Sequence, residues 1–139
     1  MPSSQSRILV ATLPEAADRI ARALPQENLY VARDFADAES ALKRETFRLA
    51  ILGLYFAESR MFELIPIARA APLNRATPIL CVQGVHRRLS SAALRGLENT
   101  VTTLGCGWLD IAAIADDEAG RASLSEALER QLAVPGRAE

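Results

Sequence analysis

The stretch RLAILGLYFAESRMFELIPIARA, residues 48–70, decides the fold. Leu49-Ala50-Ile51-Leu52 is apolar without alternation, the pattern of a strand buried on both faces of a parallel sheet. It ends at Gly53, and an acid-containing loop follows. A helix is expected over roughly residues 62–70, with Pro66 in its early part or at a kink. In a parallel α/β sheet, chemistry sits at the carboxyl ends of the strands. This strand delivers a residue with no side chain to that place.

Short apolar runs alternate with helical patterns in both directions from this segment. Upstream, Arg7 to Ala11 reads as a first strand. Pro14 suits the first turn of a helix, and Ala17, Ile20, Ala21 and Leu24 form its apolar stripe until Pro25 closes it. Leu29 to Ala32 is a short second strand. Asp34 or Asp37 can cap a helix whose apolar face includes Ala38, Ala41 and Leu42. Downstream, Pro78 to Val82 is a fourth strand. Leu89, Ala93, Leu94 and Leu97 suggest a helix that Gly96 weakens. The polar, glycine-containing stretch ENTVTTLGCG follows, then a fifth strand from Trp108 to Ile111. Asp116 or Asp117 can cap a last helix with Leu124, Leu128 and Leu132 on one face. Five strand-then-helix units predict a doubly wound α/β sheet through right-handed crossovers. A single domain is expected over residues 1–139, with its core at about 7–132 and a frayed tail, AVPGRAE, at 133–139.

The totals narrow the function. Half of the 139 residues are hydrophobic and 24% are charged, as in an ordinary soluble globular domain. The formal net charge is −1, which leaves no electrostatic footprint for nucleic acid or an anionic membrane. No apolar run approaches the roughly 20 residues that span a bilayer. The polar start MPSSQSR leads directly into a strand, unlike a secretory signal, so a cytoplasmic location is expected. Cys81 lies in an apolar run and reads as a small buried hydrophobe. A disulfide between Cys81 and Cys106 stays open, although two cysteines make no framework. The lone His86 lacks Cys or His neighbours for a zinc site, and no metal or cofactor is expected.

With the units in order, several stretches resemble the receiver domain of bacterial response regulators, which has the CheY-like, flavodoxin-like fold. SRILVAT resembles its opening strand. ARDFADAESALKRETFRLAILGL resembles the second strand, second helix and third strand. SRMFEL resembles the opening of the third helix, ATPILCVQG the fourth strand, and LGCGWLDI the glycine-containing turn into the fifth. The resemblance covers nearly the whole chain, from Arg7 to Leu132. It implies a five-stranded parallel sheet in the order 2-1-3-4-5.

The resemblance also implies a chemistry. Receivers take a phosphoryl group from a histidine kinase onto an aspartate ending the third strand. Two acids after the first strand help to hold magnesium. A hydroxyl residue ends the fourth strand and a lysine the fifth. Phosphoryl transfer to a carboxylate gathers negative charge, which a divalent ion and a lysine must offset. Here the acidic pair falls on Thr12 and Leu13, the phosphoacceptor on Gly53 and the hydroxyl on Gln83. The lysine falls near Ile111, or on Ala112 with a slip of one residue. Leu13 offers no oxygen to a hard cation. Glycine has no side chain to phosphorylate. The resemblance therefore implies a degenerate pseudo-receiver of two-component, phosphorelay type. Such a protein is no enzyme and acts by phosphorylation-independent protein–protein interaction. Its partner would be a regulator, kinase or effector, or a second copy docked through the last helices and strands. The segment between Gln83 and Gly105 is longer than a receiver's, which puts the usual fourth-helix surface in question.

Other residues carry two readings each. Glu58 can be a substitute acceptor or metal ligand; a solvated loop acid is the favoured reading, because a lone carboxylate holds magnesium poorly. Asp110 can face the degenerate site, and pairing with an arginine at the strand end is favoured. His86, Arg87 and Arg88 can bind an anion at the start of the fourth helix or form a solvated basic turn. With Thr12 and Gln83 they frame the alternative function, a sensor of a small anionic ligand in the crevice at the strand ends. Thr12 suits a helix N-cap better than a phosphate grip. ATLPEA has no glycine, which counts against a dinucleotide or P-loop site. A flavodoxin-like enzyme is weaker still, because no nucleophile, base and orienter can be assembled from the strand ends. Trp108 fits core or sheet edge better than an interface anchor. Tyr55 and Phe56 can fill the volume of the lost acidic pocket.

Overall fold

In a computed structural model, residues 6–84 and 90–133 are described. The sheet strands are β1 (Ile8–Ala11), β2 (Leu29–Val31), β3 (Leu49–Gly53), β4 (Ile79–Gln83) and β5 (Gly107–Asp110). All pair in parallel, in the order β2-β1-β3-β4-β5. The helices are α1 (Pro14–Ala23), α2 (Phe35–Arg44), α4 (Met61–Ala70), α5 (Ser91–Thr103) and α6 (Glu118–Leu132). A single turn, α3 (Phe56–Ser59), precedes α4, and a 3₁₀ turn (Ile111–Ala113) follows β5.

Alternation along the strands sorts the core into two layers. Ile8, Val10, Leu49, Ile51, Leu80 and Val82 face α1 and α6, where they meet Ile20, Leu124 and Leu128. Leu9, Ala11, Ala50, Leu52, Ile79 and Cys81 face the other way, against Leu42 of α2, Leu64 of α4 and Val101 of α5. β1, β3 and β4 are buried throughout, whereas every residue of the edge strand β5 is half-buried. Trp108 is accordingly a sheet-edge residue packed on the second layer.

Local signals set most helix ends. The Asp34 carboxylate accepts from the Asp37 N–H at 2.8 Å and starts α2. The Asp117 carboxylate accepts from the Gly120 N–H at 2.8 Å and starts α6. Three expectations need correction. Thr12 is no N-cap: Leu13 takes that position in extended backbone, and the Thr12 hydroxyl donates to the Leu13 carbonyl at 3.1 Å. The helix expected around Leu89 to Leu97 runs on through the polar stretch to Thr103 as α5, and its inward face is Leu94, Leu97 and Val101 rather than Ala93. Ala21 faces solvent, and the buried side of α1 includes Arg19.

At the amino-terminal end of the sheet, Asn74 is wholly buried. Its amide nitrogen donates to the carbonyls of Leu42 and Glu45, each at 2.7 Å. Its oxygen accepts from the Phe47 N–H at 2.9 Å and from the Thr77 hydroxyl at 2.8 Å. One side chain thereby joins the α2–β3 and α4–β4 connections and satisfies buried polar groups in both.

Candidate functional site

The carboxyl ends of β1, β3 and β4 converge on one small depression. Thr12, Leu13, Ala16, Gly53, Leu54, Tyr55, Val82 and Gly84 line it, and its free volume is about 10 Å³. That is the room one water molecule needs, against several hundred Å³ for a small-molecule pocket. The fold thus brings Thr12, Leu13 and Gly53 together. No carboxylate lines the depression among the described residues.

Gly53 stands where the two chain segments nearly touch. A Cβ there would lie 3.0 Å from the Thr12 Cα, 3.1 Å from its Cβ and 3.2 Å from its Cγ2. The nearest of these atoms is backbone, which no rotamer change can move. Leu54 continues past this contact and donates its N–H to the Val82 carbonyl at 2.8 Å. A side chain at the end of β3 would therefore have to displace the Thr12 backbone by a few tenths of an ångström, which favours a small residue there.

The loop beyond β3 closes the depression with apolar side chains. Phe56 is buried in the α2/α4/α5 layer, and Leu54 and Tyr55 border the depression itself. Of the two residues expected to fill this volume, Tyr55 borders the depression beside Leu54, whereas Phe56 packs into the core layer instead. The chain then makes an unusual turn. Ala57 (φ 53°), Glu58 (φ 61°) and Ser59 (φ 70°) are all left-handed without a glycine among them. This conformation costs an L-residue about 1–2 kcal/mol. The turn is pinned behind by Arg60, whose guanidinium lies 3.7 Å from the centre of the Phe35 ring and bonds the Glu63 carboxylate at 2.9 Å. Glu58 is exposed and does not line the depression.

Gln83 and Ile111 do not line it either. Gln83 ends β4, only 2% exposed, and pairs in register with Asp110, the last residue of β5. The strand ends one residue earlier than expected. Ile111 is wholly buried in the α1/α6 layer. Asp110 forms no ion pair with an arginine among the described residues, and its Oδ1 is buried without a hydrogen-bond partner. The expected pairing is thus absent there. A buried guanidinium instead meets the segment that leaves β5 and also faces Asp116 at 3.7 Å. That group is Arg19, which donates to Ile111 O at 3.0 Å, Ile114 O at 2.8 Å and Ala115 O at 3.0 Å. The sequence reading missed Arg19. Its only signal was a charge on the buried side of the α1 stripe.

Gly120 clamps the same connection from α6. A Cβ there would lie 1.6 Å from the Ala115 carbonyl oxygen. The segment that leaves β5 is therefore held from α1 by a buried cation and from α6 by close backbone contact. The His86-Arg87-Arg88 turn lies outside the described residues.

Asp37 and Cys81 are among the groups that titrate away from their ordinary values. A hydrogen bond from the Tyr30 hydroxyl and another from the Arg33 N–H hold the Asp37 carboxyl below the usual range. A hydrogen bond with Cys106, and then burial, push the Cys81 thiol up. Neither group lines the depression.

The whole architecture resembles solved receivers. A response regulator from Hahella chejuensis superposes with a TM-score of 0.72 at 17% identity, over 97% of this chain and 100% of that one. The receiver domain of the sensor histidine kinase PA1611 from Pseudomonas aeruginosa, with magnesium in its active-site cleft, gives 0.57 at 18%, over 94% and 99%. The chain has the receiver fold. An adenylate cyclase from Rhodopirellula baltica also matches, at 0.63 and 13% identity, over 93% and 90%. At these identities the likeness is one of fold, and the receiver fold serves proteins of more than one kind. No protein-family model and no curated protein matches the sequence. Among the described residues, no helix of the receiver fold is long and apolar enough to cross a membrane.

Proposed function

We propose that this chain is a pseudo-receiver: a two-component-type signalling domain that takes no phosphoryl group and works by binding a protein partner. One observation carries the reading. Thr12 lies so close to Gly53 that any side chain there would have to push its backbone aside by a few tenths of an ångström. A receiver site requires carboxylates for magnesium and an acceptor that projects into a wet cleft. Here the equivalent region is an apolar depression with room for one water. Thr12, Leu13 and Gly53 offer magnesium no carboxylate, and the domain performs no catalysis.

Partner binding falls to the side formed by α5, β5 and α6. α5 buries only Val101 fully, and β5 is half-buried along its length, so this side keeps surface available for contact. The partner is a regulator, kinase or effector, or a second copy of the chain, in the bacterial cytoplasm. The alternative of a small-anion sensor finds no room in the depression among the described residues.

The test is an amide NMR titration with magnesium and beryllofluoride, which mimics an aspartyl phosphate. The expected spectrum does not move. A saturable shift at Thr12, Gly53 and Tyr55 at stoichiometric ligand would overturn the reading.

A further inference from the structure

Cys81 and Cys106 are both free thiols in the apolar layer under α5. Cys81 lies in β4 directly opposite Trp108 of β5, and Cys106 comes two residues before Trp108. The two side chains are thus diagonal neighbours on one face of adjacent strands. The two thiols share one apolar cluster and lie close enough for Cys106 to raise the titration of Cys81. Cys81 is wholly buried and Cys106 is 7% exposed. Cys106 sits in a turn between Gly105, at φ 80°, and Gly107, with its sulfur 3.9 Å from the Leu104 carbonyl oxygen.

A thiol is a weak donor, so the contact adds little to stability. What it does provide is two sulfurs already adjacent, which is the costly part of closing a disulfide. The remaining adjustment falls on the glycine-flanked turn at 104–107. α5 covers the pair but buries only Val101 fully, so local opening of this helix gives an oxidant access to Cys106.

We infer that Cys81 and Cys106 are a modification site, a dithiol that closes to a reversible intramolecular disulfide with a peroxide as oxidant. The Cys106 sulfur attacks a peroxide oxygen, the O–O bond breaks, and the thiol proton leaves with the departing hydroxide as water. The product is a Cys106 sulfenic acid. The Cys81 sulfur then attacks the Cys106 sulfur, the S–O bond breaks, and the Cys81 proton leaves with that hydroxyl as a second water. Two thiols are oxidised by two electrons and one peroxide is reduced. An external dithiol reverses the bond by exchange. The order of events follows from exposure: Cys106 is the sulfur that an oxidant reaches, and Cys81 resolves it. The bridge ties β4 to the turn entering β5 and encloses the whole of α5 in one covalent loop. It therefore acts on the same side of the domain that faces a partner.

The experiment treats the full chain with hydrogen peroxide, alkylates it under denaturing conditions without reductant, and maps tryptic peptides. Cleavage at Arg95 separates the two cysteines. The expected product is a linked pair of peptides from monomeric protein, two hydrogens lighter than their sum. It disappears with dithiothreitol and is absent from Cys81→Ser and Cys106→Ser. The wild-type chain decides alone if either variant fails to fold. Two thiols still open to alkylation after peroxide, sulfinic acid at Cys106 without a link, or links only between chains would each overturn the inference.

Discussion

Thr12 and Gly53 interlock: a Cβ on Gly53 would approach the Thr12 Cα to 3.0 Å. The glycine is therefore favoured by packing as well as being chemically inert. Restoring an acid by Gly53→Asp should not restore phosphorylation. It should destabilise the domain by at least the cost of overpacking, about 1–3 kcal/mol. Gly53→Ala should show most of the same loss, which urea unfolding measures. A neutral Gly53→Ala would mean that β1 and β3 part easily, and the argument from close approach would fail.

The turn after β3 gives a prediction of opposite sign. Glycine normally weakens a structure, but Ala57 and Glu58 are left-handed, at φ 53° and 61°. Ala57→Gly and Glu58→Gly should each stabilise by about 0.5–1 kcal/mol, the relieved strain less the extra freedom of the unfolded chain. A lower urea midpoint in either variant would show that the turn is not left-handed in solution.

Arg19 should be the most sensitive charged residue of the fold. Arg19→Met keeps much of the volume and leaves the carbonyls of Ile111, Ile114 and Ala115 without their donor. The expected loss is about 2–3 kcal/mol. Arg19→Lys should recover only part of it, because an ammonium cannot span three carbonyls. Hydrogen exchange should speed up across residues 111–116 in Arg19→Met before it changes in β1.

Asn74→Ala removes four buried hydrogen bonds with one substitution. The loss should be about 3 kcal/mol. Asn74→Asp should be at least as damaging at neutral pH, since a carboxylate would face the carbonyls of Leu42 and Glu45. Thermal denaturation of the two variants at pH 7 checks both statements.

Asp37 sets an acid limb. Its folded pKa lies below the unfolded value, so the unfolded chain takes up the proton first as pH falls. The stabilisation is complete above the unfolded value, about 3.9, and is lost as pH drops through the lower folded value. The stability gap between wild type and Asp37→Asn should therefore be constant from pH 7 to about 5 and close below about 4. A gap that grows on acidification would contradict the Tyr30 and Arg33 hydrogen bonds as its source.

Much of the fold was legible because its signals are local. Leu49 to Leu52 announces a doubly buried strand by lacking alternation, and Asp34 and Asp117 cap helices with their own carboxylates. Where a local cue was weak, the expectation failed. Thr12 has the chemistry of an N-cap, yet Leu13 takes the position and the hydroxyl turns to a carbonyl. The helical stripe reads only to Leu97, although α5 runs on to Thr103, because Val101 is the sole apolar residue between Glu98 and Thr103.

By itself, the sequence determined the order of strands and helices and the residue types at the strand ends. It therefore also determined that Thr12, Leu13 and Gly53 carry no carboxylate. Those features depend on periodicity and identity, which neighbours in the chain express. Tertiary structure alone decided how closely Thr12 approaches Gly53, what Arg19 holds 92 residues away, and that Cys81 and Cys106 share one apolar cluster. Each of these is a contact between segments far apart in the chain. Such contacts are set by the twist and spacing of packed strands, and no local pattern of side chains records them.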